Sequence, residues 1–268
     1  MSIPQTDSLL GTALDCVDHF YARMFRDWPD AVNRASETCT LSYSGDRHLT
    51  GANHLWPHTP DAVTPRALRD AEKFFDTYDA AWSVVYTDTF MPEAAALFDQ
   101  HGYYRRWHSP LMVLDGPPKS LPTRFGTEVI RASTRQHLDD VRRVMNEAFG
   151  TGTSVNQRVV RDDHLDDPTV RHYLIYAGRE PATCALVATY HDIAGIWNVG
   201  TRFRFRRQRF ATTIMLALLS DLRACGCAIS VLMASPEGQP LYQQLGYREI
   251  GNVNYMGPPL IGAPRLLH

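Results

Sequence analysis

The sequence has 268 residues, of which 44% are hydrophobic and 21% are charged, and its formal net charge is −2. This composition is typical of a folded globular protein and excludes a disordered or fibrous chain. Residues 1–118 carry 9 basic and 16 acidic side chains, whereas residues 119–268 carry 18 and 13. We therefore expect two domains, and we expect an anionic partner to bind the second half of the chain.

The first half of the sequence alternates between helical and strand-like patterns. Apolar spacing predicts helices at 8–26, 65–78 and 92–101, and strands at 39–43 and 81–86. Residues 45–65 are rich in Pro, His and Gly and are predicted to form a loop. Residues 115–122 contain three prolines and a glycine, which is typical of a linker. We place the boundary there, between a domain at 1–118 and a domain at 119–268.

The second half continues the alternation. Its predicted helices lie at 134–149, 210–224 and 239–245, and its predicted strands lie near 127–131, 170–177, 183–191, 195–201, 227–234 and 247–255. Strands that alternate with helices throughout indicate an α/β or α+β sheet with helices packed on it.

The two halves share a short internal similarity. Residues 94–105 match residues 238–248, and in each half a buried strand precedes a short helix, a glycine and an aromatic residue. The alignment places Phe98 opposite Tyr242. The chain is therefore interpreted as two copies of one unit.

Several features bear on location and metal binding. The first seven residues lack a cationic stretch followed by an apolar core, which predicts a cytoplasmic protein. Apolar runs are shorter than the roughly 18 residues of a membrane span, so we expect no membrane insertion. The five cysteines are scattered and the 11 histidines show no metal-ligand spacing, so we expect no metal site.

The densest cluster of cations lies between a predicted strand and a predicted helix. Five arginines occur among the eight residues Arg202–Arg209, and an apolar helix begins near Phe210. Unpaired amides and the positive end of the helix dipole meet at such a junction, so the pattern predicts a phosphate-binding site.

The run Phe205–Thr212 resembles the pyrophosphate-binding loop of the GNAT acyltransferases, whose pattern is Arg/Gln-x-x-Gly-x-Gly/Ala. The block Val231–Tyr247 is similar to the end of the same fold, and together the two cover about residues 127–256. The resemblance implies two tandem GNAT-like units, each a mixed, mostly antiparallel sheet flanked by helices. It also implies that the N-terminal copy is degenerate and lacks catalytic residues.

The resemblance further implies an N-acyltransferase. An acyl group would pass by direct attack from acyl-CoA, in particular acetyl-CoA, to a small-molecule or carrier-bound amine. The strand residues Asn198, Val199 and Thr201 would bind the donor arm and polarise its carbonyl. The pyrophosphate would be held by Arg206, Arg207, Gln208, Arg209, Phe210, Ala211 and Thr212. Tyr242 would protonate the leaving thiolate as general acid, and Glu237 and Asp192 are candidates for the base.

The sequence departs from the family pattern at Arg209, where the family has glycine. A side chain there either points outward from a working CoA site or changes the donor that the site accepts. In the second case the donor is aminoacyl-tRNA, bound by a basic strand and loop that carries Arg202, Arg204, Arg206, Arg207 and Arg209. A third interpretation is a catalytically inactive GNAT-like binding protein.

Overall fold

The computed structural model describes residues 6–150 and 152–258. The helices are α1 (Thr6–Tyr21), α2 (Pro65–Asp76), α3 (Ala94–Gln100), α4 (Arg135–Phe149), α5 (Thr153–Val159), α6 (Phe210–Ala224) and α7 (Gln239–Leu245). The strands are β1 (Val32–Ala35), β2 (Cys39–Tyr43), β3 (His54–Pro57), β4 (Ser83–Thr87), β5 (Tyr104–Leu114), β6 (Ile130–Arg131), β7 (Val170–Ala177), β8 (Glu180–Tyr190), β9 (Ile193–Thr201), β10 (Ile229–Met233) and β11 (Arg248–Gly257). Among the described residues, no helix is both long enough and apolar enough to cross a membrane.

The chain forms two compact units, and each contains residues from both ends of the sequence. Among the described residues, the larger unit consists of Leu111–Ile250 together with residues 6–20. The smaller unit consists of Tyr21–Pro110 together with residues 251–258.

The larger unit has a mixed sheet whose strand order is β5-β10-β9-β8-β7-β6. β10 and β9 are parallel, and the other recorded neighbours are antiparallel. One face of this sheet packs against α6, where Ala194 and Ile196 join Phe210 and Ile214 in a buried apolar cluster. The prediction of a mixed, mostly antiparallel sheet flanked by helices is confirmed.

The smaller unit repeats part of this topology. Its strand order is β1-β2-β3-β4-β11, and β3 and β4 form its parallel pair. The succession β3-α2-β4-α3 therefore corresponds to β9-α6-β10-α7 in the larger unit. The short repeat seen in the sequence lies in corresponding helices, α3 and α7.

Each sheet gains a strand from the distant half of the sequence. Val253–Met256 of β11 pairs with β4 in the smaller unit, and Leu111–Leu114 of β5 pairs with β10 in the larger. Helix α1, from the first half of the sequence, also packs in the larger unit, where Phe20 stacks on Trp197 with ring centroids 4.1 Å apart. The predicted division at 1–118 and 119–268 therefore does not coincide with the compact units at either end of the chain.

Several elements differ from the sequence predictions, among them the 11-residue strand β5, which was not predicted. Residues 45–65 are not all loop, because β3 forms within them and is fully buried. β1 was not predicted, since its four residues are exposed and lack an apolar pattern. α5 was also missed, because its sequence, TSVNQRV, has few apolar residues.

Candidate active site

The site begins where β9 and β10 separate. Their parallel pairing ends at Gly195 and Val231, after three residue pairs. Beyond that point β10 continues along β5, with Leu232 opposite Met112, while β9 continues along β8. The two strands therefore open a wedge within the sheet, and the backbone of β9 beyond Gly195 is not paired to β10.

A β-bulge turns the backbone of β9 within this wedge. Cys184 of β8 lies opposite Gly200 and Leu186 lies opposite Trp197, so β9 has one residue more than β8 between these pairs. Asn198 adopts a left-handed backbone with φ 51°. Such a bulge interrupts the ladder and re-aims backbone groups, here at the predicted donor-binding residues Asn198 and Val199.

The arginine loop, Arg202–Arg209, leads from β9 to the N-terminus of α6. Within the described residues, the backbone amides of Arg207–Thr212 have no intramolecular acceptor. They comprise the last three amides of the loop and the first three of a 15-residue helix. This arrangement is the physical basis of an anion site, because unpaired N–H groups and the helix dipole act together.

Arg209 adopts the conformation that glycine would favour. Its φ is 63°, and that of Arg207 is 60°. A left-handed backbone costs a residue with a Cβ atom about 1–2 kcal/mol. The loop therefore keeps a turn that suits glycine although it contains no glycine, and the surrounding structure supports the strain.

Tyr242 is buried on α7, which follows β10. Its ring packs at 5.8 Å from that of Tyr247, in the same apolar cluster as Phe210. Burial raises the pKa of Tyr242 to about 12. The phenol is therefore neutral and holds its proton throughout the physiological range.

Comparison with known proteins identifies this arrangement. Residues 138–247 match the model of the acetyltransferase (GNAT) family. Residues 138–247 therefore carry a GNAT domain. No curated protein sequence matches the chain significantly.

Solved structures of GNAT proteins share the fold along almost the entire chain. A GCN5-related N-acetyltransferase from Kribbella flavida has a TM-score of 0.71 at 17% identity, covering 93% of this chain and 95% of its own. One from Sphaerobacter thermophilus has a TM-score of 0.63 at 14% identity, covering 94% and 93%. A tandem GNAT protein from the clavulanic acid biosynthesis pathway has a TM-score of 0.61 at 13% identity, covering 93% and 94%. At these identities the likeness establishes the fold.

Two residues of the arginine loop, Arg202 and Arg204, have carboxylate partners. Arg202 is only 3% exposed and donates to Glu147 Oε2 at 2.6 Å and to the Pro181 carbonyl at 2.8 Å. Arg204 pairs with Glu180. The hydrogen bond from Arg202 holds the pKa of Glu147 below its usual range. A buried guanidinium with a carboxylate partner is not a group that could contact a nucleic-acid backbone.

The prediction of a basic strand that carries Arg202 and Arg204 is wrong. Phe203–Phe205 form a 3-10 turn, so alternate side chains do not share a face. The turn forms because the strand ends at Thr201, and Arg202 then turns inward to its carboxylate partners.

The remaining arginines differ in how they are held. Arg206 donates to the Thr201 carbonyl at 3.1 Å and to the Ala148 carbonyl at 3.2 Å, so it braces the loop against β9 and α4. Thr201 itself is hydrogen-bonded to Thr183. Within the described part of the chain, the exposed guanidinium groups of Arg207 and Arg209 have no protein partner. They are the cations of this loop that are available to an anion.

Arg124 was not predicted from the sequence and lies against the arginine loop. Its side chain donates to Gln208 Oε1 at 3.0 Å, and its guanidinium carbon lies 4.6 Å from the Phe210 ring centroid. Its backbone amide donates to Thr213 Oγ1 at 2.9 Å, which fixes the segment at the start of α6. No sequence signal marks this residue, because the contact is with residues more than 80 positions away.

The two candidate bases lie in different places. Asp192 is in the turn between β8 and β9, about 20 Å along β9 from Asn198 at roughly 3.3 Å per residue. It lies at the closed end of the wedge, so its assignment as base is not supported. Glu237 lies in the exposed turn before α7, beside Gly238. A Cβ atom on Gly238 would lie 3.0 Å from Cε2 of Tyr242, so Glu237 remains a candidate.

The corresponding positions of the smaller unit lack these features. The N-terminus of α2 is capped by Thr64, whose Oγ1 accepts from the Ala67 amide at 3.1 Å, and Pro65 supplies no amide there. Phe98 is fully buried at the position that corresponds to Tyr242. Neither an anion site nor a phenol is present at these positions.

Proposed function

We propose that this protein is an N-acyltransferase that uses acyl-CoA, in particular acetyl-CoA, to acylate an amine. The observation that carries the proposal is the run of amides from Arg207 to Thr212, at the start of α6, that have no acceptor among the described residues. Six adjacent donors beside two exposed arginines suit a diphosphate, which offers several anionic oxygens within a short distance. The proposal places the pyrophosphate of CoA there.

In the proposed reaction, donor and acceptor meet in the wedge between β9 and β10. The bulge at Asn198 would present backbone groups near Val199 to the thioester carbonyl. The amine nitrogen attacks this carbonyl, the C–N bond forms and the C–S bond breaks. The amine loses its proton to a base, for which Glu237 is the candidate, and Tyr242 gives its proton to the departing thiolate.

The raised pKa of Tyr242 keeps the phenol protonated, which a general acid requires. With a pKa of about 12, only about 1% of the phenol is ionised at pH 10, whereas half would be ionised at the ordinary value of about 10. We therefore expect no loss of activity from deprotonation of Tyr242 between pH 8 and pH 10.

The aminoacyl-tRNA alternative loses support. It requires five arginines on one surface, but Arg202 is buried against Glu147 and Arg204 is paired with Glu180. The interpretation as an inactive binding protein rested on Arg209. Because Arg209 takes a left-handed backbone, the loop keeps the turn that the absence of glycine put in doubt.

Release of free thiol from acetyl-CoA in the presence of a panel of amines tests the proposal. We expect Tyr242→Phe to lower kcat by about 10²-fold, because it removes the proton donor, with little change in CoA affinity. Tyr247→Phe is the matched control, since Tyr247 is a buried neighbour whose hydroxyl bonds to Ser230 at 2.7 Å. It should cost about 1 kcal/mol of stability and leave kcat unchanged. Equal kcat values for wild type and Tyr242→Phe would contradict the assignment.

A further inference from the structure

Two neighbouring side chains at the bulge have buried hydrogen-bond donors without partners. Within the described residues, neither Nε1 of Trp197 nor Nδ2 of Asn198 has an acceptor, and both atoms are shielded from solvent. Leaving such a group unpaired costs about 1–3 kcal/mol. Buried donors of this kind are uncommon and require an explanation, and a bound molecule is one.

The position of the indole nitrogen is fixed by Gly195. A Cβ atom on Gly195 would lie 2.5 Å from Nε1 of Trp197, which is closer than any side chain allows. Gly195 is also the last residue of β9 that pairs with β10. The absence of a side chain there lets the indole N–H lie directly over the point where the wedge opens.

The indole lies on the face of the sheet opposite α6. Ala194 and Ile196 pack into the cluster beneath α6, so Gly195 and Trp197 face the other side. The ring of Trp197 stacks on Phe20 of α1 at 4.1 Å, which holds it in place. A donor that is bound at the start of α6 leaves this opposite face for the amine acceptor.

The chemistry of the two groups restricts what they can bind. Both are neutral donors, so each suits a neutral oxygen acceptor. A buried carboxylate would require a cationic partner, whereas a neutral carbonyl does not. Two neutral donors therefore suit the carbonyl oxygen of an amide, ester or ketone.

We propose that the acceptor is an amine with a neutral carbonyl group close to its reacting nitrogen, that Trp197 Nε1 donates to the carbonyl oxygen, and that Asn198 Nδ2 donates to the same acceptor molecule. This inference rests on the proposed function, because it assigns the acceptor side of the same wedge. Trp197 and Asn198 lie within two residues of Val199, so the oxygen lies within a few bonds of the nitrogen that attacks.

A matched pair of amines tests the inference. L-Alaninamide has a carbonyl group one carbon from its amine, and 3-methyl-2-butanamine has the same branching without the oxygen. With acetyl-CoA as donor, and with the amine concentration expressed as that of the unprotonated amine, we expect kcat/KM of the wild type to be at least tenfold higher for alaninamide.

Two variants test the residues without disturbing the bulge. Trp197→Phe keeps an aromatic ring against Phe20 but removes the N–H, and Asn198→Gly tolerates φ 51° but removes the side chain. Trp197→Phe should lower kcat/KM for alaninamide about tenfold and leave both the value for 3-methyl-2-butanamine and CoA affinity unchanged, and Asn198→Gly should lower the ratio of the two kcat/KM values about tenfold. Thermal denaturation of each variant identifies loss of folding.

The outcomes separate the inference from the function on which it rests. Equal turnover of the two amines, turnover of neither by a protein that binds CoA, or an unchanged preference in both variants overturns the inference alone. A wild-type protein that binds no CoA and acylates neither amine overturns the proposed function as well.

Discussion

Arginines of a single loop have different environments, and these environments decide what each one can do. Arg202 is buried against Glu147, whereas Arg207 and Arg209 are exposed. The cluster of arginines was visible in the sequence, but the sequence did not show which of them are buried and which are exposed. The carboxylates that neutralise Arg202 and Arg204 lie 20 to 60 positions away, so only the folded chain brings them together.

Arg124 extends the predicted site by one residue. Because its guanidinium lies over Phe210 and reaches Gln208, it is positioned to add a charge to the anion site. We expect Arg124→Ala to weaken CoA binding by about tenfold, which is the loss of one charge-assisted contact. The measurement is a calorimetric titration with CoA, and Arg66→Ala, an exposed arginine in the first turn of α2, is the control. Equal affinities for the two variants would remove Arg124 from the site.

At the scale of the element, the two corresponding helices α2 and α6 differ in whether a side chain caps the N-terminus. The start of α2 is closed by the Thr64 cap and Pro65. The start of α6 lacks a side-chain cap and is preceded by a left-handed residue. Apolar periodicity predicted both helices, since both bury one face against a sheet. It could not predict the free amides, because these depend on the φ angles of Arg207 and Arg209.

Hydrogen exchange distinguishes the two N-termini. The amides of Arg207–Thr212 have no acceptor in the part of the chain that the structure describes, so we expect them to exchange quickly in the free protein. Addition of CoA should slow their exchange at least tenfold, because phosphate oxygens would accept from them. The Ala67 amide, which is bonded to Thr64, should not change. Slowing at both N-termini, or at neither, would contradict the assignment of the site to α6.

At the scale of the whole molecule, the repeat was detectable but the exchange of strands was not. Residues 94–105 and 238–248 revealed corresponding helices, since a helix followed by a glycine and an aromatic residue is a local pattern. The pairing of β11 with β4 and of β5 with β10 joins positions more than 100 residues apart. Apolar strands carry no mark of which neighbour they pair with, so the sequence favoured a simple boundary at the proline-rich segment.

The exchange predicts that the C-terminal half does not fold alone. A fragment of residues 119–268 lacks Leu111–Leu114, which leaves β10 without one of its partners, and it also lacks Phe20 against Trp197. An exposed edge of this kind promotes aggregation. We expect the fragment to aggregate or to unfold without cooperativity, whereas the full chain unfolds cooperatively, as measured by circular dichroism during heating. A soluble fragment with a cooperative transition would show that these exchanged segments are dispensable.

The account as a whole depends on the anion site at the start of α6 being the site of an acyl-CoA donor. Calorimetric titration of acetyl-CoA into the full-length protein tests this most directly. We expect saturable binding at one site per chain, with affinity reduced about tenfold in Arg207→Ala and in Arg209→Ala. The absence of saturable binding at millimolar acetyl-CoA, or binding that both variants leave unchanged, would contradict it.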